Sequence, residues 1–130
     1  MPEVDLNQFK SLYNQTALEY LHKIEEGLNS IKQNPSDRNS INSVHIAAHS
    51  LKSQSFLMGY SSVGNASMVL EKTFRVLNDS TGPVSSEILR AVEIVVHAVH
   101  AAISNIIDGH PEGDLTKIIE RFKSTISQGE

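Results

Sequence analysis

Hydrophobic positions along this chain recur every three or four residues, and no segment alternates with the period of two that a strand requires. The first helical stretch is expected from about Asp5 to Lys32. It carries Leu6, Phe9, Leu12, Tyr13, Ala17, Tyr20, Leu21, Ile24, Leu28 and Ile31 at apolar positions. Asp5 suits an N-cap, and the run from Asn34 through Pro35 and Ser36 to Asp37 stops the helix. A second helix is expected from Pro35 or Ser40 to Met58, with Gly59 as its stop. Its core side gathers Val44, Ala47, Ala48, Leu51 and Met58. A third runs from about Ser62 to Leu77, with Val63, Ala66, Val69, Leu70, Phe74 and Leu77 apolar, and ends in the polar run Asn78 to Pro83. A fourth, from about Ser85 to Ile107, repeats Ile88, Val92, Val95, Val99, Ile103 and Ile106 on one stripe. A shorter fifth, from about Asp114 to Ile126, shows Leu115, Ile118, Ile119, Phe122 and Ile126.

Four long amphipathic helices with short connections predict an all-α, antiparallel up-down bundle over about residues 5–107, because short loops force antiparallel neighbours. The fifth helix, about 114–127, then packs outside the bundle or leads to another domain. The 130 residues suit one domain. With four Phe, three Tyr and no Trp, the core must be built mostly of aliphatic side chains.

Charge narrows the function. A net charge of -4 with no block of like charge argues against general nucleic-acid binding, which needs a basic face. The absence of Cys excludes disulfides and thiolate metal sites and fits a cytoplasmic setting. The N-terminal residues lack the basic and apolar regions of a signal peptide. The apolar fourth helix carries Arg90, Glu93, His97 and His100, so no membrane span is expected there.

Chemistry concentrates on the histidines. On a helical wheel His97 and His100 fall off the apolar stripe and read as a solvated face; His22 and His110 read the same way. His49 differs. It lies almost opposite the core side of the second helix, beside His45, Ile46, Lys52, Ser53 and Phe56. Lys52, at i+3, brings a cation that would favour an anion above the imidazole. The turn between the second and third helices centres near Tyr60, eleven residues after His49 and eleven before Glu71. In a helical hairpin both then stand roughly 16 Å from the turn, at about 1.5 Å per residue. A carboxylate there can accept the proton of one ring nitrogen, fix the tautomer and leave the other nitrogen's lone pair facing out. Ser50, Ser53 and Ser55 keep the neighbourhood small enough for another protein to approach.

The run from Ala47 to Ser55, with His49-Ser50-Leu51-Lys52 at its centre, resembles the phosphoacceptor motif of histidine-containing phosphotransfer (HPt) domains. The likeness is greatest to the N-terminal phosphotransfer domain of CheA-type chemotaxis histidine kinases. It extends over the first helix, Gly59, the Val69 to Phe74 run and the fifth helix. The resemblance implies that His49 carries a phosphoryl group on Nε2, that Lys52 stands beside that group, and that Glu71 bonds Nδ1. It also implies a histidine-kinase ATP-binding domain as donor, an aspartate of a response-regulator receiver domain as acceptor, and no cofactor. Nothing resembling a glycine-rich nucleotide loop is present. Where the family has Gly after the Lys, this chain has Ser53; Phe56 fills a second small position, Ile46 stands where an Arg is frequent, and Met68 where the chemotaxis kinases have a second His. His45, Ile46, Ser53, Phe56 and Met68 are accordingly expected to form the partner-docking rim. Glu71 is expected on the surface, so that its loss should not unfold the bundle.

Two other readings use the same residues: a metal site of His45, His49 and Glu71, and a helical adaptor that docks without chemistry. Lys52 opposes the first, since it would repel a cation. The fifth helix favours a domain of a longer kinase over a free-standing protein, monomeric when isolated.

Overall fold

A computed structural model describes residues 6–128, and these form five α-helices with no strand among them. They are α1 (Leu6–Gln33), α2 (Arg38–Leu57), α3 (Ser61–Asp79), α4 (Ser86–Ile107) and α5 (Thr116–Gln128). Asp5, the expected first cap, lies outside the described residues. Asp37 caps α2 by accepting from the Ser40 backbone N–H, and Ser85 caps α4 by accepting from that of Ile88. Gly59 takes φ of +83° just after α2, a left-handed conformation that glycine adopts without strain.

α1 touches α2 and α4, α2 touches α3, and α3 touches α4, so the first four helices close a ring, with α5 against α4 and α3. Tyr13 of α1 meets Ser55 of α2 through a hydroxyl hydrogen bond of 2.9 Å, while Lys32 at the other end of α1 reaches Glu93 of α4 at 2.9 Å. Between them, α1 has Gly27 against α2: a Cβ there would run into the Val44 side chain. The absent side chain lets the two helices approach closely there. On the other flank of α2, Arg38 donates to the carbonyls of Leu77, Ser80 and Gly82, at and just beyond the end of α3.

The core is aliphatic, as the composition requires, with Leu21, Ile24, Ile31, Ile41, Leu51, Leu70, Val95 and Ile103 almost wholly buried around Phe74. The first two turns of α1 depart from expectation. Leu6, Phe9 and Leu12 are exposed, and burial on α1 begins at Tyr13. At 28 residues α1 is eight longer than α2, so its start overshoots the end of its neighbour. α4 is long and apolar enough to cross a bilayer by length and composition alone. Here Val92, Val95, Val99 and Ile103 face the bundle core, and Arg90, His97 and His100 face outward.

Candidate functional site

The outer side of α2 and the adjoining side of α3 carry the chemistry. His49 sits mid-helix with its side chain 57% exposed, and its Nδ1 lies 2.9 Å from Oε1 of Glu71. The two residues paired by their spacing from the turn are thus in contact. Glu71 is not on the surface, however: it is 3% exposed. The flanks of α2 and α3 close over it, and three groups converge on its carboxylate. His49 and Arg75 share Oε1, Arg75 Nη2 at 3.0 Å, and Lys52 Nζ lies 2.6 Å from Oε2.

Burial pushes the Glu71 carboxyl up, but the hydrogen bonds and charges of Lys52 and His49 outweigh it and hold the group at about 2. Glu71 is therefore an anion throughout the neutral range. As an anion it can only accept, so His49 must donate from Nδ1. That places the imidazole in the tautomer whose Nε2 carries a free lone pair, on the side of the ring away from Glu71. The arrangement is an imidazole oriented by a buried carboxylate, with two cations beside it.

Lys52 was expected over the imidazole, ready for an anion; it is tied instead to the carboxylate that orients the ring. Arg75 escaped the sequence reading, although its position four residues after Glu71 on α3 was the signal for it. His45 was expected on the open face. It is half-buried, and its Nε2 is enclosed without a hydrogen-bond partner. It lies in line with Lys52 and Phe56, on the side of α2 turned toward α3. Of the other residues expected at the rim, Ile46 is 56% exposed, Ser53 is exposed and Met68 is half-buried. Phe56 is 41% exposed while its ring lies against Gly64 of α3.

Among the described residues no three of His, Asp or Glu are grouped to hold a metal ion. The expected trio of His45, His49 and Glu71 is not such a group: the Nε2 of His45 is enclosed, and Lys52 and Arg75 already occupy the Glu71 carboxylate. The remaining histidines behave as solvated groups: His22 pairs with Glu26 one turn on, and His100 Nδ1 lies 3.2 Å from Glu25 on α1.

The family model of the Hpt domain matches residues 8–108, which include every member of this cluster. The chain belongs to the Hpt domain family. The Hpt chain is 26% identical over 106 residues to the chemotaxis protein CheA of Bacillus subtilis (strain 168), covering 82% of this chain. It spans only 16% of the length of that relative. Its fold matches the solution structure of the histidine phosphotransfer domain of CheA with a TM-score of 0.81, at 21% identity over 92% of each chain. It also matches the phosphorylated P1 domain of CheA3, solved in complex with CheY6 from R. sphaeroides. There the TM-score is 0.80 at 17% identity, over 93% of this chain and 97% of the other.

Proposed function

We propose that His49 is the phosphoacceptor of this phosphotransfer domain, taking its phosphoryl group from a histidine-kinase ATP-binding domain and passing it to an aspartate of a receiver domain. The observation that carries this reading is the 2.9 Å bond from His49 Nδ1 to a Glu71 carboxylate held ionised at about 2. In the loading step the Nε2 lone pair attacks the γ-phosphorus of ATP. The bond from that phosphorus to the bridging oxygen breaks, and its electrons leave on ADP. The ring's developing positive charge is stabilised by Glu71, which keeps its hold on the Nδ1 proton. In the delivery step an aspartate oxygen attacks the phosphorus, the P–N bond breaks, and the electron pair returns to Nε2. Lys52 and Arg75 offset the negative charge of the phosphoryl group in both directions, in addition to positioning Glu71.

In this reading residues 1–130 are one cytoplasmic domain of a larger chemotaxis-type kinase, monomeric when isolated. Its α1–α4 run antiparallel and α5 is an addition. Residue numbers that rise on α1 and fall on α2 and α4 at successive contacts support that arrangement.

Phosphoramidate, a small-molecule phosphodonor, tests the acceptor without any partner. Wild-type protein should become a phosphoprotein whose label is lost in acid and kept in alkali, and His49→Gln should retain under 5% of that label. Equal labelling of His49→Gln and wild type would overturn the assignment, and would leave a docking adaptor as the better description.

A further inference from the structure

Phe56 stands seven residues after His49, two helical turns along the same face of α2, or about 10 Å at 1.5 Å per residue. A large ring there would ordinarily stand up from the helix and block an approaching protein. It does not, because Gly64 leaves a gap in α3. A Cβ at Gly64 would lie 2.7, 2.8 and 2.9 Å from three carbons of the Phe56 ring, closer than real carbons approach. The ring therefore occupies the volume of the missing side chain. It remains 41% exposed, and Leu57 and Ile46 on the same helix are 84% and 56% exposed. The result is a low apolar platform beside the acceptor, with exposed Ser53 between ring and imidazole.

Resting on the phosphoacceptor reading above, we propose that Phe56, seated by Gly64, determines which receiver domain takes the phosphoryl group from His49. The occupant follows from the chemistry of delivery. Transfer requires a receiver carboxylate in bonding range of Nε2, and a domain of about 100 residues has a radius of gyration near 13 Å. A receiver placed over His49 thus covers a point about 10 Å away along the helix. Whatever faces Phe56 on that receiver must be apolar and recessed to gain from the contact, and a polar or protruding residue there is rejected. Specificity then resides in a pair of residues on two helices, one filling the space the other leaves.

The test starts from protein loaded with phosphoramidate and follows loss of the label to each of a panel of purified receiver domains. Every rate is divided by hydrolysis of the same loaded variant alone. Phe56→Ala should slow transfer to the preferred receiver at least tenfold and flatten the ranking among receivers. Gly64→Ala should slow it fivefold or more when Phe56 is present, and less than twofold in the Phe56→Ala background. Phe56→Leu, which keeps apolar volume, guards against a folding defect and should fall between. Unchanged rates and ranking in Phe56→Ala, or an equal effect of Gly64→Ala with and without Phe56, would overturn the proposal. Failure of wild type to load at all would instead strike the phosphoacceptor reading.

Discussion

At the scale of single residues, the decisive fact is that Glu71 is both buried and charged. A carboxylate 3% exposed remains ionised only because Lys52, Arg75 and His49 supply the hydrogen bonds that water would have supplied. Its removal therefore does two things. Glu71→Gln should slow phosphoramidate labelling of His49 about 10- to 100-fold, because the tautomer is no longer fixed. It should also destabilise the fold by about 1–3 kcal/mol, because Lys52 and Arg75 lose their anion. The sequence alone suggested only the first effect. Stability follows from the direction of the Glu71 displacement. Its pKa falls from an ordinary 4.5 to about 2 on folding, so the stabilisation is complete above 4.5 and is lost as pH drops through about 2. Urea unfolding of wild type and Glu71→Gln should give midpoints that differ at pH 6 and converge as the pH falls toward 2. A constant gap across that range would remove the carboxylate from the explanation. A wheel drawn on one helix finds the side on which a residue lies, but not whether a second helix closes over it. That is why the partnership of His49 and Glu71 was legible and the depth of Glu71 was not.

At the scale of the elements, helix starts were legible from the apolar period, that of α3 included, but the groups that cap them were not. Asp37 and Ser85 cap α2 and α4 from within the local sequence. α3 has no such residue: Tyr60 at its N-cap makes no side-chain bond. Its first turn is satisfied by Glu112, whose two carboxylate oxygens accept from the backbone N–H groups of Ser62 and Val63 at 3.0 and 3.1 Å. Glu112 also places negative charge at a helix N-terminus, where the dipole favours it. Nothing in the sequence near α3 could reveal a cap fifty positions away. Glu112→Ala should lower stability by about 1 kcal/mol, and by more than Glu120→Ala at an exposed position of α5. Thermal unfolding of the two variants, side by side with wild type, measures the difference. α1 marks the opposite failure: its apolar period was real through Leu6, Phe9 and Leu12, but period says nothing about where the neighbouring helix stops.

At the scale of the whole molecule, the five helices and their order were legible because aliphatic stripes of period 3.6 leave few alternatives. The role of α5 was open between packing and leading away, and the structure has it packing. Leu115, Ile119 and Phe122 are buried against α4 and α3. Truncation after Gly109 removes these three side chains together with the Glu112 cap, and should cost several kcal/mol at about 1.5–3 kcal/mol per buried side chain. Labelling of the truncated protein by phosphoramidate at low temperature should nonetheless survive, since His49, Lys52, Glu71 and Arg75 all lie on α2 and α3. Loss of labelling in a truncated protein that is still helical would mean that α5 supports the site as well as the fold. The convergence of Lys52 and Arg75 on one carboxylate has an effect that reaches beyond the pocket. With the imidazole neutral, two cations against one anion leave the empty site one unit positive, a bright spot on a chain whose net charge is -4. In the proposed reaction a dianionic phosphoryl group on a ring that keeps its Nδ1 proton, and so turns cationic, adds one net negative charge and brings that spot to neutral. The local positive charge would thus vanish and return with each turnover, so that an approaching protein can sense from a distance whether the domain is empty or loaded, before any surfaces touch.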